Sequence, residues 1–213
     1  GDGGDMVTYD SQLGPLNFIQ NDGSSVAYLF DMRDEMINIE GVTGTSQADT
    51  FHAADGYFRG LGGQDTFFAS GPGLGRYDGG NSIDTVSYAH ATTGISASLL
   101  RNRGWDGDAQ GDRYSGIENL TGSNHDDFLW GDHGNNRLEG GHGNDTIVGN
   151  DGDDYILAGF GTDTIVFSGN QDEYTITHTG IRTEVIHNDD GKDGHDIIGH
   201  AEVLRFADGD FIL

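Results

Sequence analysis

Residues 122–166 read GSNHDDFLW, GDHGNNRLE, GGHGNDTIV, GNDGDDYIL and AGFGTDTIV, a run of nine-residue units once Gly122 is taken as position one. Position six holds Asp127, Asn136, Asp145, Asp154 and Asp163, and position eight holds Leu129, Leu138, Ile147, Ile156 and Ile165. A short fixed period of this kind marks a stacked solenoid. Six residues of each unit suit a tight turn whose glycines reach φ > 0 at no steric cost, and three suit a short strand with the aliphatic residue facing in. Each turn reverses the chain, so alternate units stack on the same edge. Asp127, Asp145 and Asp163 then share one edge, and Asn136 and Asp154 the other.

A more degenerate array precedes this one, with GTSQADTFH from Gly44, GLGGQDTFF from Gly60 and GGNSIDTVS from Gly79, whose aspartates are Asp49, Asp65 and Asp84. The turns between them are irregular. One, around AADGYFR, is about two residues short, the next follows an extra Ala69, and both offer a glycine, Gly56 or Gly75, at the aspartate position. One edge of the first array is therefore expected to lack ions.

A longer period also shows. DMVTYD from Asp5 with IEGVTGTSQADTF parallels DTVSYA from Asp84 with IENLTGSNHDDFL. The expected fold is all-β: two stacked parallel β-rolls with antiparallel strand inserts and a C-terminal β cap. The first unit spans 1–87 with its roll at 44–87, the second 88–166 with its roll at 122–166, and the cap 167–213. Alternation in Ile95, Ala97 and Leu99, and in YTITHTG and RTEVIHN, reads as strand. The opening GDGGDMV looks like the tail of another nonapeptide, which implies further repeats or a functional domain upstream.

Composition narrows the partners. Thirty-six acidic against ten basic residues give a formal charge of -26, which repels nucleic acid and anionic lipid. No apolar run approaches the roughly 20 residues needed to span a bilayer. Cysteine is absent, which removes disulfides and thiolate chemistry. A self-repelling chain that is 34% apolar needs counter-ions to collapse. The start has no signal-peptide pattern, so either the export signal lies elsewhere or the chain is a piece of a longer one.

Glycine-rich turns that point carbonyls inward, each ending in a carboxylate, supply the oxygen ligands at about 2.3–2.6 Å that Ca²⁺ prefers. The candidate ligands in the second roll are Asp127, Asn136, Gly140, Gly141, Gly143, Asp145, Gly149, Asp151, Asp154, Gly159, Gly161 and Asp163. In the first they are Asp49, Asp65 and Asp84. Several ions are expected, with the tightest between Gly140–Asp145 and Ala158–Asp163.

GGHGNDTIV, GNDGDDYIL and AGFGTDTIV resemble the RTX (repeats-in-toxin) nonapeptides, and the insert followed by IENLTG looks like multidomain RTX proteins. The resemblance implies export by a type I system and folding in the calcium-rich exterior. It also implies a module carried on toxins, proteases, lipases, epimerases or adhesins, so that polysaccharide or a cell surface is a possible partner. Gln47, Ser82 and His125 depart from the pattern by replacing the position-four glycine.

Other chemistries are less supported. His125, His133 and His142 fall on alternating edges and should not converge on zinc. DDGKDGHDIIGHAE from Asp189 resembles an EF-hand loop, but Gly191 stands where a ligand belongs and His200 where the bidentate glutamate should be, so an exposed acidic turn is expected. Asp106, Asp108 and Asp112 in WDGDAQGD make either an isolated calcium site or a plain polar hairpin turn. Trp105, Trp130, Tyr57 and Tyr155 are read as core or cap packing rather than a carbohydrate platform. HExxH, GxSxG and P-loop patterns do not occur, and no enzyme is expected.

Overall fold

The structure, a computed structural model, describes residues 6–8, 16–21, 24–29, 32–37, 41–53, 55–71, 73–188 and 192–213. Two twelve-stranded sheets face each other. In order across the first lie Met6–Thr8, Gly41–Thr43, Gly56–Gly62, Gly75–Asn81, Arg113–Ser115, Arg103–Asp106, Ser96–Ser98, Phe128–Trp130, Thr146–Val148, Thr164–Val166, Val203–Phe206 and Gly209–Ile212. The second runs Tyr174–Thr179, Arg182–His187, His195–Gly199, Tyr155–Phe160, Arg137–His142, Asn119–Thr121, Thr85–Ser87, Thr66–Ala69, Thr50–Ala53, Leu16–Asn21, Ser24–Leu29 and Met32–Ile37. Successive nonapeptides alternate between the sheets, so each sheet is parallel wherever it is made of repeats: Phe128 pairs with Thr146 and Thr146 with Thr164.

Position eight builds the core from both sides. Phe51, Phe67, Val86, Leu120, Leu138, Ile156 and Ile198 project from the second sheet, and Val42, Phe58, Tyr77, Tyr114, Leu129, Ile147, Ile165 and Leu204 from the first; all are buried. The first half is filled by rings, with Phe51 stacked on Phe67 at 4.8 Å, and the second by aliphatic chains. Strands of three residues bury one side chain each, so the apolar contribution per turn is only about 1.5–3 kcal/mol. Cohesion must come largely from the turns.

The insert after Ser87 joins the rolls. Ser96–Ser98 pairs parallel with Phe128–Trp130, Arg113–Ser115 pairs parallel with Gly75–Asn81, and antiparallel Arg103–Asp106 lies between them. In the other sheet Asn119–Thr121 passes straight from the first roll to the second. The tail repeats this plan. After the hairpin Tyr174–Thr179 with Arg182–His187, the strand His195–Gly199 adds parallel to Tyr155–Phe160 and Val203–Phe206 adds parallel to Thr164–Val166. The tail is thus more than a cap: it supplies another turn to each sheet before Gly209–Ile212 closes one edge antiparallel.

Two expectations change here. The irregular turns, the short one at Gly56 and the one at Gly75 after the extra Ala69, do not spoil alignment, because Gly56–Gly62 and Gly75–Asn81 pair in register from end to end. The four aromatics are not core: Trp105, Trp130 and Tyr57 are half-buried on the outside and Tyr155 is exposed. Being at positions seven and nine, or in the insert, they face away from the position-eight row.

Candidate calcium sites in the turn columns

The position-six residues form two columns tied by hydrogen bonds from main chain to side chain. In the column leading into the second sheet, the Asp49 amide donates to Asp65 Oδ1 (2.8 Å), the Asp65 amide to Asp84 Oδ1 (2.7 Å) and the Asp84 amide to Glu118 Oε2 (2.8 Å). Farther along, the Asn136 amide donates to Asp154 Oδ1 (2.8 Å) and the Asp154 amide to Asp196 Oδ1 (2.9 Å). The column leading into the first sheet has Gly75 donating to Asp112 Oδ1 (2.8 Å). Beyond the insert come Ile95 to Asp127 Oδ1 (2.7 Å), Asp127 to Asp145 Oδ1 (2.9 Å), Asp145 to Asp163 Oδ1 (2.9 Å) and Asp163 to Glu202 Oε2 (2.8 Å). All of these bonds run from the earlier amide to the later carboxylate.

The second side-chain oxygen sorts the turns into two kinds. In the closed kind that oxygen, or in Asn136 the only side-chain oxygen, accepts the amide of position two: Thr45 to Asp49 Oδ2 (2.6 Å), Ser123 to Asp127 Oδ2 (2.6 Å) and Asp132 to Asn136 Oδ1 (2.7 Å). The position-two side chain then accepts the amide two residues on, from Gln47, His125 and Gly134 respectively, which is the geometry of Ser/Thr and Asx turns. In the open kind, Oδ2 of Asp65, Asp84, Asp145, Asp154 and Asp163 is buried with no hydrogen-bond partner.

Backbone dihedrals account for the difference. Each open turn has positive φ at positions two and four: Leu61 (79°) and Gly63 (107°), Gly80 (103°) and Ser82 (93°), Gly141 (113°) and Gly143 (125°), Asn150 (69°) and Gly152 (109°), Gly159 (121°) and Gly161 (149°). No closed turn has one. Of the departures from the pattern, Ser82 keeps the glycine conformation, whereas Gln47 and His125 belong to closed turns. Position one is glycine in four of the five open turns, Ala158 being the exception, and there the crowding is of a different kind. A Cβ on Gly140 would overlap both Asp145 Oδ2 and the Ala158 carbonyl oxygen, and one on Gly79 would overlap Asp84 Oδ2 and the Gly116 carbonyl oxygen.

These carboxyls are strained electrostatically. Burial, with neighbouring carboxylates adding to it, pushes Asp65, Asp145 and Asp154 up to about 7 and Asp84 to about 6. Asp163 is also raised by burial. Unpaired buried carboxylate oxygens beside carbonyl oxygens, with no cationic side chain in the columns, call for a hard cation. Among the described residues no three His, Asp or Glu side chains converge on one point.

The first roll's other edge is built differently. Asp112 occupies the aspartate position after Gly75, but its Oδ2 accepts the Tyr88 hydroxyl (2.7 Å), which also bonds the Tyr114 hydroxyl (2.7 Å). Gly75 leaves the space a Cβ would take to the Tyr77 hydroxyl. Both Asp112 oxygens are thus satisfied within the protein. Asp106, Asp108 and Asp112 do not gather: Asp106 caps Gly107 and Asp108 accepts the Gly71 amide.

The expectation of an exposed acidic turn at 189–196 gives way to a buried one in its described part. Asp193 accepts from the Tyr174 hydroxyl (2.5 Å) and Ser168, and Asp196, pushed up to about 9 chiefly by burial, takes its place in the column after Asp154. Asp189 and Asp190 lie outside the described residues. His133 pairs with Asp151 at 2.8 Å and His142 stacks on Phe160 at 4.8 Å.

Residues 114–147 and 134–165 match the family model described as the RTX calcium-binding nonapeptide repeat (4 copies). In class this is a parallel β-roll whose turns over 114–165 match a calcium-binding repeat. The stretch 114–165 carries RTX nonapeptide repeats. No curated protein matches the chain.

Proposed function

We propose that the chain is a non-catalytic module of a larger secreted protein that folds when calcium enters the open turns, and that stabilises or presents its parent outside the cell. The observation that carries this reading is the set of five buried, partnerless carboxylate oxygens, each in a turn with two positive-φ residues. A fold that leaves them bare is penalised by desolvation, whereas an ion bound only to the folded state stabilises it by mass action. In this reading Asp65, Asp84, Asp145, Asp154 and Asp163 are the principal ligands, helped by carbonyls of Gly140, Gly141, Gly143, Gly149, Asp151, Gly159 and Gly161. Asp49, Asp127 and Asn136 sit in closed turns and serve mainly as hydrogen-bonded starts of each stack. Division into 1–87, 88–166 and 167–213 and type I export belong to the same proposal. Circular dichroism during chelator titration tests it: β structure should be lost without calcium and recovered with it, and an unchanged spectrum in excess chelator refutes it.

A second reading, as a glycan- or surface-binding module, has one observation in its favour. Phe128 (47% exposed) stacks on Trp130 at 5.8 Å, Trp105 lies 5.3 Å from Trp130, and Arg101 covers Trp105. Such a row presents flat apolar faces of the kind that sugar rings cover. Tryptophan fluorescence during polysaccharide titration would shift if it binds.

A further inference from the structure

Each roll ends on a segment that is not a nonapeptide: Asp112-Arg-Tyr-Ser-Gly-Ile-Glu118 after the first and Asp196-Ile-Ile-Gly-His-Ala-Glu202 after the second. The two share one geometry. The aspartate takes an amide of one column, from Gly75 or Asp154, and the glutamate six residues later takes an amide of the other, from Asp84 or Asp163. Between them the fifth residue is left-handed in both copies, Gly116 at φ 57° and His200 at φ 59°. A glutamate reaches one methylene farther than an aspartate and so takes the column position without a six-residue glycine turn behind it.

The residues these glutamates meet are open. Asp84 and Asp163 are both 0% exposed and both keep a partnerless Oδ2. At Asp84 the Gly116 carbonyl oxygen of the closing segment and Asp84 Oδ2 both lie close against Gly79. A buried partnerless carboxylate oxygen, a carbonyl oxygen near it and a second carboxylate on the adjoining amide are oxygen donors of the kind a hard cation takes.

We propose that Glu118 and Glu202 each complete a calcium site at the end of a roll, Glu118 with Asp84 at the junction of the two rolls and Glu202 with Asp163 at the far end. The proposal rests on the reading of the chain as a calcium-driven module. It extends the ion-binding residues beyond the nonapeptides and makes calcium part of the joint between the rolls.

Native mass spectrometry of the whole chain in calcium counts the ions. Glu118→Gln and Glu202→Gln keep the amide contact but lose the charge, and each should carry one ion fewer than the wild type, with the double variant two fewer. Glu184→Gln, on the outer surface, should keep the full number. Unchanged counts and unchanged calcium affinity in both glutamine variants would overturn the proposal while leaving calcium binding intact; a wild-type chain that binds no calcium would instead overturn the underlying reading. Should a variant fail to fold, anomalous scattering from wild-type crystals grown in calcium decides. A peak bonded to Asp84 Oδ2 and a Glu118 carboxylate oxygen upholds the site, and its absence there overturns it.

Discussion

The amide of Asp127 donates to Oδ1 of Asp145, 2.9 Å away and eighteen residues later in the chain. Asp145 repeats the act toward Asp163, so its carboxylate holds the turn before it while its amide is held by the turn after it. Asp145 therefore joins three turns, and its partnerless oxygen is the one proposed above as an ion ligand. Asp145→Ala should lower stability in calcium by about 3 kcal/mol, equivalent to roughly 6–12 °C in a chain of this size. Asp172→Ala, on an exposed surface turn, should cost less than about 0.5 kcal/mol. Thermal melts in calcium compare the two, and similar losses would contradict the ranking.

Two consensus glycines should respond oppositely to the same substitution. Gly140→Ala drives a methyl into Asp145 Oδ2 and the Ala158 carbonyl and should abolish one ion and much of the second roll's stability. Gly134→Ala meets only Asp132 Oδ1 at 3.4 Å, from a backbone without positive φ, and should be close to neutral. Calcium titrations followed by circular dichroism of both variants test this directly.

Tyr88→Phe probes the edge expected to do without ions. Its hydroxyl is bonded to Asp112 and Tyr114, so its loss leaves buried polar groups unpaired at a cost of about 1–3 kcal/mol. The number of bound calcium ions should not change. A fall in that number would mean that the tyrosine network belongs to an ion site.

The calcium-free chain should respond to acid in the direction opposite to ordinary acid denaturation. Burial raises Asp65, Asp145 and Asp154 to about 7, so in the folded state they hold protons that the unfolded chain releases near pH 4. Their contribution to stability is fully present below about pH 4 and is lost as pH rises toward 7. In chelator, residual β structure should therefore be greater at pH 4.5 than at pH 7.5. The reverse order would show that these carboxyls are not buried in the metal-free fold.

The fold was legible because position six and position eight repeat on a fixed count. A column of Asp127, Asp145 and Asp163 and a row of Leu129, Ile147 and Ile165 follow from spacing alone. Asp112, Asp196, Glu118 and Glu202 were not legible, since each reaches its column only after an insert has left and rejoined the stack. A signal existed in GKDGHDIIG from Gly191, which keeps glycine at positions one and four, aspartate at six and isoleucine at eight. The split between open and closed turns was hidden for another reason. Closed turns have Thr45, Ser123 or Asp132 at position two, whose side chains stabilise a local turn, whereas the open turns carry other residues there, from Gly141 to Leu61, all at positive φ.

The ladder of amides and carboxylates is periodic, and a periodic ladder cannot tell one rung from the next. A chain of identical turns could slip by eighteen residues, setting Asp127 against Asp163 in place of Asp145, and make the same kind of bond one rung along. Here the rungs are marked. Asn136 carries no charge, Glu118 and Glu202 are longer than the residues they replace, and the strands Ser96–Ser98 and Arg103–Asp106 fit at one level only. A slipped chain would set a glutamate where a glycine turn is needed and leave the insert unpaired. The irregularities thus index the solenoid, giving a repetitive sequence a single alignment with itself.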